Sequence, residues 1–167
     1  MAWVKSEYAG ELAVLATWLV ALAPWSVSVF QVSSLTVVAL RFLPFRFQFI
    51  FGATLENERP FLWAWEVARF QESPELTLAG TLGFAALGLF VLPFALSLYY
   101  YYFEEERVGA RLPLDPVRLF GILLGLVALA SLGATALFAR YFPGVTFPLG
   151  ALLAALFAYL LLTIERT

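Results

Sequence analysis

Leu76-Thr-Leu-Ala-Gly-Thr-Leu-Gly-Phe-Ala-Ala-Leu-Gly-Leu-Phe-Val-Leu-Pro-Phe-Ala-Leu-Ser-Leu-Tyr-Tyr-Tyr-Tyr-Phe103 runs for 28 residues without a charged side chain. As a helix it would be about 42 Å long, more than the ~30 Å hydrocarbon core of a bilayer. Ser73-Pro74-Glu75 before it is a helix start: a capping hydroxyl, a proline at the first position, an acid in the first turn. Pro93 inside the run predicts a kink. Tyr99 to Phe103 makes an aromatic belt of the kind that marks a membrane–water interface. Glu104-Glu105-Glu106 then follows as a solvated charge run.

Three further runs lie to either side. Ser6 to Ala23 is 18 residues long and ends at Pro24. Its Ala21-Leu22-Ala23 resembles a signal-peptide cleavage site, but Pro24 directly after it and a lone basic Lys5 before it argue for an uncleaved helix. Leu119 to Ala139 lies between Arg118 and Arg140, with Asp115-Pro116 as cap and first turn. Phe147 to Ile164 is closed by Glu165-Arg166. Hydrophobic residues are 62% of the 167 and charged residues 13%. A soluble domain has roughly 45–50% and about 25%, and at this size still exposes about 30% of its surface. Lipid is therefore the expected solvent. The expected fold is a membrane α-helical protein: one domain, 1–167, with four transmembrane helices at about 6–23, 75–103, 117–140 and 147–164.

Residues 25–72 have a different period. Trp25-Ser-Val-Ser-Val-Phe30 alternates, Leu35 to Leu40 is β-branched, and Leu43 to Phe51 places Leu43, Phe45, Phe47, Phe49 and Phe51 on odd positions. Period two predicts strands. Glu56 to Pro60 reads as a turn, and Phe61 to Phe70 fits a strand or a short helix equally. Bare strands are not tolerated in hydrocarbon, so the segment predicts a small antiparallel sheet outside the bilayer, on the helix ends. Its apolar odd face is expected to be buried, and Arg46 and Gln48 to face a neighbour. Trp63 and Trp65 complete the expected interaction surface.

Basic residues near helix ends set orientation. With the N-terminus inside, Lys5, Arg107, Arg111, Arg118 and Arg166 lie inside, and Arg41, Arg46, Arg59, Arg69 and Arg140 outside. The inner set is denser along the chain. The expectation is a multi-pass protein of the cell membrane with both termini cytoplasmic.

Cysteine and histidine are both absent, and Asp115 is the sole aspartate. That removes disulfides, thiolate sites and the commonest base and metal ligand. Motifs such as G-x-S-x-G, the P-loop and H-E-x-x-H are missing too. No enzyme, cofactor or metal site is expected, and a net charge of −2 argues against nucleic acid. Glu11 is an intramembrane carboxylate near the start of the first helix, expected to snorkel or to pair with Arg118 or Arg166. Gly121-Ile-Leu-Leu-Gly125 is a GxxxG, a helix-packing face. Arg41 and Arg46 lie among aromatics, where cation–π packing accounts for them. Membrane lipids and a second copy or another membrane protein are the expected partners. The leading reading is association through the outer sheet. The alternatives are an accessory subunit of a larger membrane complex and, disfavoured by the scarcity of buried polar groups, a small transporter or channel.

Met1-Ala-Trp-Val-Lys-Ser-Glu-Tyr-Ala-Gly-Glu11, Arg46-Phe-Gln-Phe49 and Pro60-Phe-Leu-Trp-Ala-Trp-Glu66 resemble a group of small uncharacterised haloarchaeal membrane proteins, over essentially the whole chain. The layout also resembles claudin-like four-helix proteins: a helix, an outer β segment of about 50 residues, then three helices. Pro24-Trp25-Ser-Val-Ser-Val-Phe30 is similar to the start of the claudin outer sheet and Leu62-Trp63 to its Leu-Trp pair, while the paired cysteines that follow there are absent here. The resemblance implies a helix–sheet architecture and strand-to-strand assembly between neighbours in cell adhesion.

Overall fold

A computed structural model describes residues 8–52, 59–69, 73–103, 114–141 and 144–164. Along them run α1 (Ala9–Leu22), β1 (Ser26–Val32), β2 (Leu35–Arg41), β3 (Phe45–Phe51), β4 (Phe61–Trp63), α2 (Ala64–Arg69), α3 (Pro74–Tyr102), α4 (Pro116–Tyr141), β5 (Val145–Phe147) and α5 (Leu149–Thr163). Among the described residues these make five helices and one small antiparallel sheet. Lys5, Glu56, Glu58, the run Glu104–Glu106, Arg107, Arg111 and Arg166 lie outside them.

The helix starts follow the sequence. Ser73 Oγ accepts the Leu76 N–H at 3.2 Å with Pro74 at the first position, and Asp115 Oδ1 accepts the Val117 N–H at 3.2 Å ahead of α4. These bonds satisfy amide donors that have no partner in the first turn. Two helices are long and apolar enough to cross a membrane: α3 with 29 residues and α4 with 26. Only 22% of the most apolar window of α3 and 33% of that of α4 is buried within the protein. A soluble core helix would bury most of it.

α1 and α5 have 14 and 15 residues, about 21 and 22 Å of helix, short of a ~30 Å core. Part of the expected 6–23 span lies outside the described residues. The expected 147–164 span is corrected: Val145–Phe147 is a strand, and the helix begins at Leu149.

The four apolar helices pack side by side. α4 lies along both α3 and α5, and α1 touches all three. Phe120, Leu124 and Val127 of α4 meet Phe90 of α3 and Ala154, Ala158 and Leu161 of α5 in one buried cluster. Trp18 Nε1 donates to Ser97 Oγ at 3.1 Å, joining α1 to α3 just beyond the buried Pro93.

The sheet has the order β4-β3-β2-β1-β5. Leu43 and Pro44, expected at the start of a strand, belong instead to the tight connection before β3, where Phe42 N–H donates to Phe45 O at 2.8 Å. The ambiguous stretch from Phe61 resolves into both alternatives, β4 and then α2. Trp63 N–H donates to Glu66 Oε2 at 2.9 Å, half of a capping box at that change. The edge strand β5 has no counterpart in the sequence periodicity: Val145–Phe147 pairs with Val27–Val29 across most of the chain.

Candidate functional site

Strand side chains alternate between faces, so the register sorts the sheet. Arg41 is opposite Arg46, Ala39 opposite Gln48 and Val37 opposite Ile50. Ser26 is opposite Arg41 and Ser28 opposite Ala39. Those residues share one face. Val29, Val38, Phe47, Phe49, Phe61, Trp63, Val145 and Phe147 share the other.

Ser26, Ser28, Val37 and Ala39 are buried. Val29, Phe49, Phe51, Trp63, Val145 and Phe147 are exposed, Phe51 to 58% and Val145 to 75%. The serine- and arginine-bearing face is therefore the covered one, and the aromatic face looks outward. This reverses the expected assignment, in which the phenylalanines were buried and Arg46 and Gln48 faced out. Small side chains on the covered face let the helices approach closely. Its hydroxyls find partners there, as in the 2.9 Å contact between Ser28 Oγ and Thr146 Oγ1.

The outward face carries a continuous row of rings. Phe45 lies 5.3 Å from Phe47 and 5.4 Å from Phe61, and Phe61 lies 5.0 Å from Trp63. Trp63 stacks on Trp65 at 4.9 Å with the planes 6° apart. Of the four residues expected to form one surface, Trp63 and Trp65 come together here. Arg46 donates to Gln48 Oε1 on the opposite face.

On the covered side a cavity of about 70 Å³, partly open to the outside, separates the sheet from α3 and α4. Arg41 and Arg46 line it from the sheet, Gly83 and Phe84 from α3, and Ser131 and Thr135 from α4. Arg41 Cζ sits 4.6 Å from the centre of the Phe138 ring, the cation–π contact anticipated for it. Burial, and secondarily the charge of Arg46, pushes Arg41 down to about 10. Burial also lowers Arg46. Among the described residues neither guanidinium forms an ion pair with a carboxylate, and Arg46 Nε and Ser131 Oγ are buried without a hydrogen-bond partner. In the sequence the two arginines stand five positions apart, each among aromatics. The signal for a pair was the hairpin register, which puts them opposite each other if the turn is tight.

Gly121 and Gly125 face α5: a Cβ at Gly121 would lie 2.9 Å from the Leu162 side chain, and one at Gly125 3.7 Å from Ala158 Cβ. Glu11 lies exposed in the first turn of α1, where a carboxylate complements the helix dipole. It forms no ion pair with Arg118 among the described residues. No cluster of three metal-ligating side chains occurs among the described residues.

No curated protein matches the chain. A family model described as a family of unknown function, DUF7549, matches residues 2–166, and the chain belongs to that family.

Proposed function

We propose that this is a non-enzymatic, multi-pass membrane protein with four spanning helices and cytoplasmic termini, whose sheet associates laterally with a second copy of the chain. The observation that carries the reading is the inverted sheet, with polar groups inward and a continuous aromatic row outward. An exposed apolar patch of this kind marks an interaction site. Phe45, Phe47, Phe49, Phe61 and Trp63 place no charge on that face, so it calls for no charged complement. A two-fold contact of the face with itself meets that condition. The edge strands β4 and β5 have three residues each. Short edges are poor templates for strand addition. Association is then through the face of the sheet, not through the strand-to-strand edge contact that the claudin-like layout implies.

The test is native mass in mild detergent together with melting temperature. The wild type should run as a homo-oligomer. Replacing Phe49 and Phe51 together by serine should shift it to monomer, as loss of a ~2 kcal/mol interface anchor does. Its stability should stay within about 0.5 kcal/mol, since both side chains are exposed. Reproducible co-purification of a different membrane protein would support the accessory-subunit alternative instead. A monomeric wild type would overturn self-association.

A further inference from the structure

We propose that Arg41 and Arg46 form a binding site for a phosphate-type oxyanion, in the cavity between the covered face of the sheet and helices α3 and α4. The two guanidinium groups stand directly opposite on β2 and β3. Side chains so placed have Cβ atoms about 4.5–5.5 Å apart, and like charges there repel. Both are half-buried, with Arg46 Nε fully enclosed, and among the described residues no carboxylate compensates them. Cations partly removed from water without a counter-charge are costly, and an anion between them lowers that cost.

The donors are already arranged. Arg46 spends one terminal nitrogen on Gln48 Oε1 and leaves Nε buried and unpartnered. Ser131 Oγ, equally buried and unpartnered, lines the same cavity from α4. Guanidinium forks match phosphate oxygens geometrically, and a hydroxyl adds a further donor. The remaining wall is apolar, with Phe42, Leu43 and Phe84, which suits a phosphate carrying hydrocarbon.

Depth agrees. Gly80 to Phe84 lies about 9–15 Å from the start of α3, and Ser131 to Thr135 about 9–15 Å from the end of α4. Two helices of 29 and 26 residues exceed a ~30 Å core by roughly 9–14 Å, so this level falls near the headgroups. The phosphate has two sources, a lipid headgroup or free inorganic phosphate.

The site is tested on the purified full chain in a nonionic detergent, with the bound anion counted per chain whatever the oligomeric state. Its outcome is therefore separate from that of the association reading. In one arm the protein is mixed with equal phosphatidylglycerol and phosphatidylcholine, and the retained lipid is weighed by native mass spectrometry. In the other, inorganic phosphate is titrated at constant ionic strength and the melting temperature read. Preferential retention of about one phosphatidylglycerol per chain assigns a lipid headgroup. A rise in melting temperature with inorganic phosphate alone assigns a free oxyanion.

Arg46→Gln should lower binding about tenfold, the loss of one charge-assisted hydrogen bond. Without anion this variant should melt no lower than the wild type, because it lacks one unpaired charge. Ser131→Ala, which removes only an unpartnered hydroxyl, should fold normally and weaken binding less. It decides the matter if Arg46→Gln does not fold. Absence of both effects in the wild type overturns the site. So does a folded Arg46→Gln, or in its place Ser131→Ala, that binds as the wild type does.

Discussion

Trp25 is where the sheet is joined to the helices. Its ring is 5% exposed, meets Phe90 edge-on at 5.9 Å, and donates from Nε1 to Val20 O at 3.1 Å. Its backbone N–H reaches Arg41 O at 2.6 Å, and Gly150 N–H reaches Pro24 O at 3.0 Å. One residue thus ties the end of α1, the β1–β2 ladder and the start of α5. Trp25→Ala should cost about 3–5 kcal/mol, as truncation of a buried aromatic does. Trp25→Phe keeps much of the packing and loses the indole bond, so about 0.5–1.5 kcal/mol is expected. Gly150 has no space to spare, since a Cβ there would lie 2.8 Å from Trp25 Cα. Thermal melting of Trp25→Phe and Trp25→Ala in detergent checks the order. Equal losses would mean that the indole hydrogen bond, and not the ring volume, holds the junction.

Among the elements, the α4–α5 seam separates two glycines that look equivalent in the motif. A Cβ at Gly121 would meet Leu162 at 2.9 Å and Ala158 O at 3.3 Å, whereas one at Gly125 finds only an ordinary 3.7 Å contact. Gly121→Leu should therefore destabilise by about 1–3 kcal/mol, in the range of overpacking. Gly125→Ala should be neutral or gain slightly from better helix propensity. If the two melt alike, the seam is looser than the contacts say. The unequal glycines also show how far sequence reaches. Gly121-x-x-x-Gly125 announced a packing face but not the partner, which depends on where Ala158 and Leu162 come to lie. The capped starts at Ser73 and Asp115 were legible because capping is local. β5 was not, because three residues carry no period and their partner is Val27–Val29, more than a hundred residues earlier. Alternation in Phe45–Phe51 told which side chains share a face. It could not tell which face is covered, because that depends on where α3 and α4 come to lie against the sheet, and the half-burial of Arg46 is the consequence.

At the scale of the whole molecule, two helices long and apolar enough to cross a membrane leave most of their apolar windows outward, and the sheet leaves its aromatic face outward as well. The proposed topology places the β segment and the loop between α3 and α4 on opposite sides. The sequence contains no cysteine, so single cysteines report without background. A cysteine at Arg59 should react with an impermeant thiol reagent on intact cells, and one at Glu105 only after permeabilisation. Reaction of the second from outside would reverse the orientation, and reaction of both would remove α3 as a span. β5 adds a matter of timing. β1 and β2 are made early, but the strand that closes the outer edge of β1 follows only after α3 and α4 have been synthesised. At about 5–20 residues per second that delay is on the order of ten seconds. Throughout it the nascent β1 presents Val27 to Val29 as an unoccupied edge, open to the Val145–Phe147 segment of any earlier copy nearby. Crowded synthesis should then yield strand-exchanged dimers, and the arrival of the chain's own last strand is what ends the competition.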